Sequence, residues 1–566
     1  MEAKSLGDIL RRSVAKHGPR TAFLIPEGTE FRPLTYDALF LRVQLYAGAL
    51  RGMGLRRGDR LVIFSENCAE WAITDWACQC LGIVVVPIYP TLPANQAAYI
   101  VQDSAALHAV VGSVELSKKL EGIDRLNIRL IKGEPNSLDH LADRSADEIS
   151  LSGLNAEIDG GQLADLATII YTSGTTGVPK GVMLSHRAII HVCEAVGRIN
   201  VLNTDDNFLS FLPQSHVYER VAGQILPIAL GAKITYIKNL ASMAGAMTKV
   251  QPTVMMCVPR FLESFRDRIL DAVAKQPAKK QRLFHLALSQ GVKRAQGKFA
   301  PLALITDRLV MHKIRERAGG KMRYFISGGA ALAPNVAEFY MATGLTVLQG
   351  YGLTETTGGT FLNLPNNNKY WTVGEPLEME SRIAPDGEIL IRGPGLMTGY
   401  FNLPDETEAA IDLEGWFHTG DIGEFEGKSL KITDRKKDLL VLGNGKNIAP
   451  QPIESKLRTS EYISEAVLLG DGMDSCSALI VPNHASVIKL LNLSEGELLS
   501  SNEGVRKLIK REIDVVNKTL ANFEIIKRFT ILDNLFSIES GELTPTMKVK
   551  RKVIKERYAS EIESMK

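Results

Sequence analysis

Apolar residues recur along this chain in two alternating rhythms. Leu6, Ile9, Leu10 and Val14 fall on one face of a helix. So do Leu39, Val43, Tyr46, Ala47 and Leu50, with Thr35 as the cap. Gly52, Gly54 and Gly58 interrupt that helix before "RLVIF", a short run of strand type. A helical stretch around Trp71 to Cys80 leads into "GIVVVPI", another leads into "HAVVG", and "KITYI", "TVMMCV" and "MRYFIS" continue the pattern. Strands that are apolar on both faces and alternate with helices predict an α/β fold with mainly parallel sheets covered on both sides.

The rhythm breaks at "ITDRKKDLLVLGNGKNIAP", Ile432 to Pro450, where charges and glycines interrupt the apolar pattern. Beyond it come the strand-like "EAVLLG" and "SALIVP", a long helical stretch from about Glu503, and a basic tail. The pattern predicts a large domain over residues 1–434 and a smaller α+β domain over 435–566.

Composition narrows the class of function. The chain has 566 residues, too many for one ordinary core, and 66 basic residues nearly balance 64 acidic ones, so general nucleic-acid binding is not expected. Six scattered cysteines hold no metal-binding spacing and read as reduced, buried thiols. The start, "MEAKSLGDILRRSVAKHG", lacks the apolar core of a secretory signal, and no apolar run reaches the ~18 residues of a membrane span. A cytoplasmic protein is expected, with peripheral contact at the inner membrane face and homodimerisation both left open.

The chemistry concentrates in short loops. "YTSGTTGVPKG" follows the strand-like "LATII" and puts Thr172, Ser173, Gly174, Thr175, Thr176, Gly177 and Lys180 in one span. Hydroxyls, close-approaching backbone N–H groups and one lysine are what an anionic phosphate requires. It is not a P-loop, because Lys180 is followed by Gly181 instead of Ser or Thr. "SGGAAL", with Gly328, Gly329 and Ala330, makes a second close-approach turn after a strand. "QGYGLTETT" carries Gln349, Gly350, Tyr351, Gly352, Thr354 and Glu355. "GWFHTGDIG" places Asp421 in a glycine-flanked turn, where a carboxylate can accept two hydroxyls.

These motifs, in this order, resemble the adenylate-forming superfamily of acyl-CoA synthetases, luciferases and nonribosomal-peptide adenylation domains. The resemblance implies a large α/β domain with a small β-barrel-like part, and a smaller mobile C-terminal domain. It implies ATP, Mg²⁺ and CoA as reactants. The phosphate loop would hold the β- and γ-phosphates, Tyr351 would stack on adenine, and Thr354 would meet the α-phosphate. Glu355 and Thr176 would face the metal, and Asp421, Ile432 and Arg435 the nucleoside. Lys548, in "GELTPTMKVKRK", matches the family's C-terminal catalytic lysine, although Met547 stands where most members have glycine. Lys437 would be the hinge, and Gly443, Gly445 and Lys446 would border the CoA path.

"LPQSHVYER", "VPRFLESFRDRI" and the stretch after Ile432 look like the long-chain fatty acid–CoA ligase subgroup. His216 then falls beside the acyl carboxylate, whereas read alone it is a packed core histidine. Gln214 and Ser215 depart from the subgroup's more usual Leu-Ala, which touches the pocket lip. The alternatives are an acyl carrier protein or no thiol as acceptor, or, more distantly, a P-loop-type kinase that would release ADP. A noncatalytic lipid- or nucleotide-binding protein would have no use for Glu355, Asp421, Arg435 and Lys548 together.

Overall fold

The computed structural model describes residues 3–145, 149–173, 178–237, 239–443, 446–494, 496–537, 540–543 and 549–565. The chain divides into two compact units. The first is Met1–Ser381, Ile391–Phe417 and Glu426–Leu430; the second is Arg382–Leu390, His418–Phe425 and Lys431–Lys566.

Two sheets build the first unit. In one, six strands run parallel in the spatial order Thr346–Tyr351, Tyr324–Ser327, Val254–Cys257, Asn207–Ser210, Lys233–Tyr236 and Thr21–Glu27. Antiparallel strands close both edges, Glu30–Thr35 on one side and Phe361–Leu362 with Glu375–Pro376 on the other. The second sheet is parallel through Leu166–Ser173, Val84–Ile88, Arg60–Phe64, His108–Val111 and Asn127–Leu130. Its other edge is antiparallel, through Pro179–Ser185 and Gly399–Tyr400.

The apolar runs of the sequence are explained by burial on both faces. Leu61, Ile63 and Val85 enter one core cluster, while their neighbours Val62, Phe64, Val84 and Val86 enter another. Side chains alternate across a strand, so a strand with a core on each side must be apolar throughout. Helix Tyr36–Gly52 starts where expected: the Thr35 hydroxyl accepts the Ala38 N–H at 3.2 Å, and Leu39, Val43, Tyr46, Ala47 and Leu50 are all buried.

The second unit has a three-stranded sheet in which Cys476–Pro482 pairs antiparallel with Ile463–Leu469 and parallel with Ile526–Ile531. Helix Glu503–Asn517 lays Val505, Leu508, Ile509 and Ile513 on it, capped by the Asn502 side chain. The basic run near the C-terminus is partly structural, for Arg551 pairs with Glu454 and donates to the Leu468 carbonyl at 2.9 Å. Cys78, Cys80, Cys193, Cys257 and Cys476 are buried free thiols, and burial pushes those of Cys80 and Cys193 up to about 12.

Candidate active site

The strands on either side of residues 174–177, Leu166–Ser173 and Pro179–Ser185, pair antiparallel, with Thr172 opposite Lys180 and Ser173 opposite Pro179. The motif thus follows a strand, as expected, but the strands it joins belong to one ribbon. Gly174, Thr175, Thr176 and Gly177 lie outside the described residues. Lys180, on the returning strand, points to two partners. It pairs with Glu406, and its Nζ lies 5.1 Å from the centroid of the Tyr400 ring, a cation–π contact.

Tyr400 also reaches the second motif. Its hydroxyl donates to Glu355 Oε1 at 2.9 Å. Burial, and after it the Glu355 charge, hold that hydroxyl's pKa well above the usual range, so it stays a donor at any working pH. Lys180 and Glu355, 175 positions apart in sequence, are thus brought to one tyrosine, the lysine over its ring and the carboxylate at its hydroxyl. No motif named Tyr400, which lies in "LMTGYF" on a short edge strand beside the hairpin.

The turn that presents Glu355 is built from threonines. Residues Thr354–Thr356 form a single 3₁₀ turn after the strand ending at Tyr351. The Leu353 N–H donates to Thr356 Oγ1 at 2.9 Å, the Thr360 hydroxyl donates to the same atom at 2.8 Å, and Thr357 Oγ1 donates to the Gly395 carbonyl at 2.7 Å. All three threonines are fully buried. Thr354 and Glu355 stay half-buried on the open side. A Cβ on Gly352 would sit 2.5 Å from the Gly358 carbonyl carbon, so only glycine lets this loop fold back on itself.

Tyr218 sits where three loops meet. Its hydroxyl donates to the Ile326 carbonyl at 2.7 Å, and its ring is where a Cβ on Gly328 would make contact, at 3.2 Å. Its backbone also lies close to Gly358, and its N–H donates to His216 Nδ1 at 3.1 Å. That bond makes Nδ1 an acceptor and leaves the proton of a neutral ring on Nε2. His216 is half-buried, with the Tyr89 ring centroid 6.2 Å from its own. Gln349, expected at the nucleotide, uses both ends of its amide on backbone: Oε1 accepts the Leu332 N–H at 3.1 Å and Nε2 donates to the Tyr370 carbonyl. It fixes the "SGGAAL" turn, in which Gly329 has a left-handed φ of 84°.

Behind His216 the chain forms a π-helix, Glu219–Ile225, and buries a carboxyl group. Ser210 Oγ donates to Glu219 Oε1 at 2.5 Å, while Oε2 has no partner among the described residues. Burial pushes the Glu219 pKa up to about 8 from an ordinary 4.5, so the group is mostly protonated at neutral pH. A raised acid pKa stabilises the fold fully below the unfolded value and loses that contribution as pH rises through the folded one. The expected result is a wild-type stability that falls between pH 5 and pH 8.5, on the order of 4 kcal/mol at full swing, with the melting temperature following it. Glu219→Gln should keep the neutral-side hydrogen bond and flatten that slope in a calorimetric pH series. An unchanged slope would mean the carboxyl is ionised in the fold.

The second unit holds its own cluster. Asp421 is buried, and Arg435 Nε lies 3.1 Å from its Oδ1. Ile432 is on the same strand as Arg435, half-buried. His418 Nδ1 faces Glu388 Oε2 at 3.3 Å, and Lys436 pairs with Glu388 and Asp386 at 2.9 and 2.6 Å. Lys437 is exposed in the short turn Lys436–Asp438. Just before it, Asp434 accepts the Arg435 N–H at 2.6 Å and the Gln451 N–H at 3.3 Å, and burial lifts its pKa to about 6. Gly443 donates to the Met473 carbonyl at 2.8 Å, and Lys446 Nζ lies 4.5 Å from the Phe523 ring centroid. Gly445 and Lys548 lie outside the described residues.

No group of three or more His, Cys, Asp and Glu suited to a metal occurs among the described residues. Glu355 offers a single carboxylate, which suits Mg²⁺: that ion takes one or two protein oxygens and completes its octahedron with phosphate and water.

Comparison with known proteins identifies the family. Residues 10–401 match the family described as AMP-binding enzyme, and residues 437–566 match the AMP-binding enzyme C-terminal domain. The long-chain-fatty-acid–CoA ligase FadD15 of Mycobacterium bovis is 37% identical over 93% of this chain and 90% of its own length. The human long-chain-fatty-acid–CoA ligase 1 is 32% identical over 98% of this chain and 85% of its own. A solved structure of o-succinylbenzoate CoA synthetase from Bacillus subtilis, with ATP and magnesium ion, shares the fold at a TM-score of 0.72 and 22% identity. It covers 96% of this chain and 98% of that one. This chain belongs to the AMP-binding enzyme family.

Proposed function

We propose that the protein activates long-chain fatty acids as their CoA thioesters. In the first half-reaction a carboxylate oxygen attacks the α-phosphorus of ATP, the bond to the β-phosphate breaks, and pyrophosphate leaves. In the second, the CoA sulfur attacks the acyl carbon and AMP departs. The observation that carries this reading is the convergence of Lys180 and Glu355 on Tyr400, beside the turn that bears Thr354. Lys180 would meet the outgoing phosphates, its pairing with Glu406 being exchanged for theirs. Glu355 would hold Mg²⁺, which neutralises phosphate charge when bound. Tyr351, Gly328, Gly329, Ala330, Asp421 and Arg435 would hold the nucleoside, and His216, with its donor nitrogen set by Tyr218, would face the acyl carboxylate.

Bringing a carboxylate to a triphosphate costs several kcal/mol at an effective dielectric of ~20. Lys548 is the residue proposed to offset that repulsion and the charge that grows on the α-phosphate. Turning the small domain about Lys437 would then withdraw Lys548 and present Gly443, Gly445 and Lys446 to the pantetheine arm. A peripheral membrane contact, from which an insoluble acid would be drawn, is part of the proposal.

The test is pyrophosphate release with saturated acids of rising length. A single turnover is expected without CoA and steady turnover with it, and specificity should climb with chain length, since each buried CH₂ contributes about 0.8 kcal/mol. Lys548→Ala should abolish acyl-AMP formation yet still convert supplied acyl-AMP to the thioester. ADP as product, or equal loss of both half-reactions in that variant, overturns the reading.

A further inference from the structure

A buried carboxylate of the second unit stands at the foot of the segment that carries Lys548. It belongs to Glu542, and both of its oxygens are engaged. Oε2 accepts the Ser537 N–H at 3.2 Å and the Ser540 hydroxyl at 2.6 Å. Oε1 accepts the Tyr558 hydroxyl at 2.7 Å and faces Arg557 Nη1 at 3.0 Å. Burial by itself would raise the pKa of this carboxyl. The donors outweigh it and hold the group below its ordinary value, so it is an anion at any working pH.

The two oxygens serve different stretches of chain. Ser537 and Ser540 precede the segment, while Arg557 and Tyr558 stand at the end of helix Arg551–Arg557, which follows it. The backbone on the two sides is also joined. Leu543 pairs antiparallel with Val549, and the Lys550 N–H donates to the Glu542 carbonyl at 2.8 Å. The Leu543 N–H donates to the Ser537 carbonyl at 3.0 Å, and its side chain enters the apolar cluster of Val467, Leu479 and Ile554. Lys548 lies outside the described residues, but a single peptide bond joins it to Val549. One carboxylate therefore ties the chain entering this segment to the chain leaving it.

We infer that Glu542 is a positioning residue for Lys548, acting in acyl-AMP formation and not in thioester formation. The inference rests on the role proposed above for that lysine. An ammonium on a flexible four-carbon stem offsets repulsion between two anions only as well as it is placed. A displacement of about 1 Å can cost on the order of 10²-fold in rate. Fixing both ends of the segment restricts that displacement at the backbone, because a closed loop has fewer conformations than an open one. A staple for the C-terminal helix alone would need only Oε1. The bonds of Oε2 to the turn ahead of the segment are what bring the lysine's own anchorage under the same carboxylate.

The experiment measures the two half-reactions of full-length Glu542→Gln separately, below the variant's melting transition. Glutamine keeps the volume but sets an amide N–H against one pair of donors. Pyrophosphate release in a single turnover without CoA is expected to slow on the order of tenfold at saturating substrate, with the apparent affinity for ATP unchanged. Conversion of supplied acyl-AMP and CoA to the thioester should stay within about twofold of wild type, which also shows that the second unit is folded. Tyr558→Phe removes one donor, keeps the ring against Phe536, and should give the same split with a smaller loss of roughly threefold. Equal loss in both half-reactions, or undiminished pyrophosphate release in both variants, overturns the inference alone, provided that Lys548→Ala abolishes acyl-AMP formation. Should Lys548→Ala form acyl-AMP at wild-type speed, the reading of the lysine falls and this inference falls with it.

Discussion

Glu355→Gln is expected to slow pyrophosphate release by about 10²–10³-fold while leaving the melting temperature within a degree or so. Glutamine keeps the volume and the acceptor oxygen, so the Tyr400 hydroxyl, which donates to Oε1 at 2.9 Å, loses little. What disappears is the negative charge, and with it the carboxylate that would hold Mg²⁺. The loss should be partly recovered by raising Mg²⁺, with the apparent magnesium affinity weakened and the apparent ATP affinity following it. Tyr400→Phe separates positioning from charge. It keeps the ring against Lys180 and removes only the hydroxyl, so a loss of roughly tenfold is expected. Since the hydroxyl's pKa is raised, first by burial and then by Glu355, neither effect should vary between pH 6 and pH 9. Near wild-type pyrophosphate release by Glu355→Gln would remove Glu355 from the metal site.

What could be read in advance divides by sequence distance. Strands such as Val84–Ile88 were legible because every one of their residues is buried, which forces an unbroken apolar run. Helix Tyr36–Gly52 was legible because one face alone is buried, at helical spacing. The strand Leu166–Ser173 was legible from its apolar run, and the Thr354–Glu355 turn because glycines and hydroxyls act within a few residues of themselves. Pairings at long range left no such mark. Thr21–Glu27 lies beside Lys233–Tyr236, and nothing local to either run says so.

The same distance hid the residues that hold the site in place. Tyr400 reaches Glu355 across 45 positions and Tyr218 reaches Ile326 across 108, and each is an ordinary tyrosine until the fold is known. Tyr218 was at least within a quoted motif, and Thr356, Thr357 and Thr360 stood in plain view beside Glu355, where their crowding could have signalled buried hydroxyls bracing a turn. Gln349 has a second use that its place in a nucleotide motif did not show: its amide braces the neighbouring turn. The π-helix at Glu219–Ile225 had no signal, because its extra residue per turn reflects packing around buried polar groups more than any local propensity.

Those polar groups set the largest stability effect expected in the molecule. Arg220, 1% exposed, donates from Nε and Nη2 to the two oxygens of Asp75 at 2.7 and 2.5 Å. Asp75 also accepts from Gln79 at 3.0 Å, and it sits on helix Ala69–Leu81, whose residues are nearly all buried. Arg220→Met fills much of the volume but leaves a carboxylate in the interior without its cation, which costs about 3–5 kcal/mol. The measurement is the denaturation midpoint of the first unit's transition, which should drop by several degrees. Asp75→Leu combined with Arg220→Met removes both charges and should return most of the loss, since two apolar groups of similar size need no partner. Activity should not recover in parallel. The Arg220 backbone N–H donates to the His216 carbonyl at 3.0 Å, while its guanidinium holds Asp75 on helix Ala69–Leu81, so the ion pair ties the turn that carries His216 to that buried helix. The double variant is therefore expected to fold stably with a raised KM for the fatty acid and a nearly unchanged KM for ATP. If the double variant were as unstable as Arg220→Met alone, the loss would come from packing, and the ion pair would not be what ties this loop to the core.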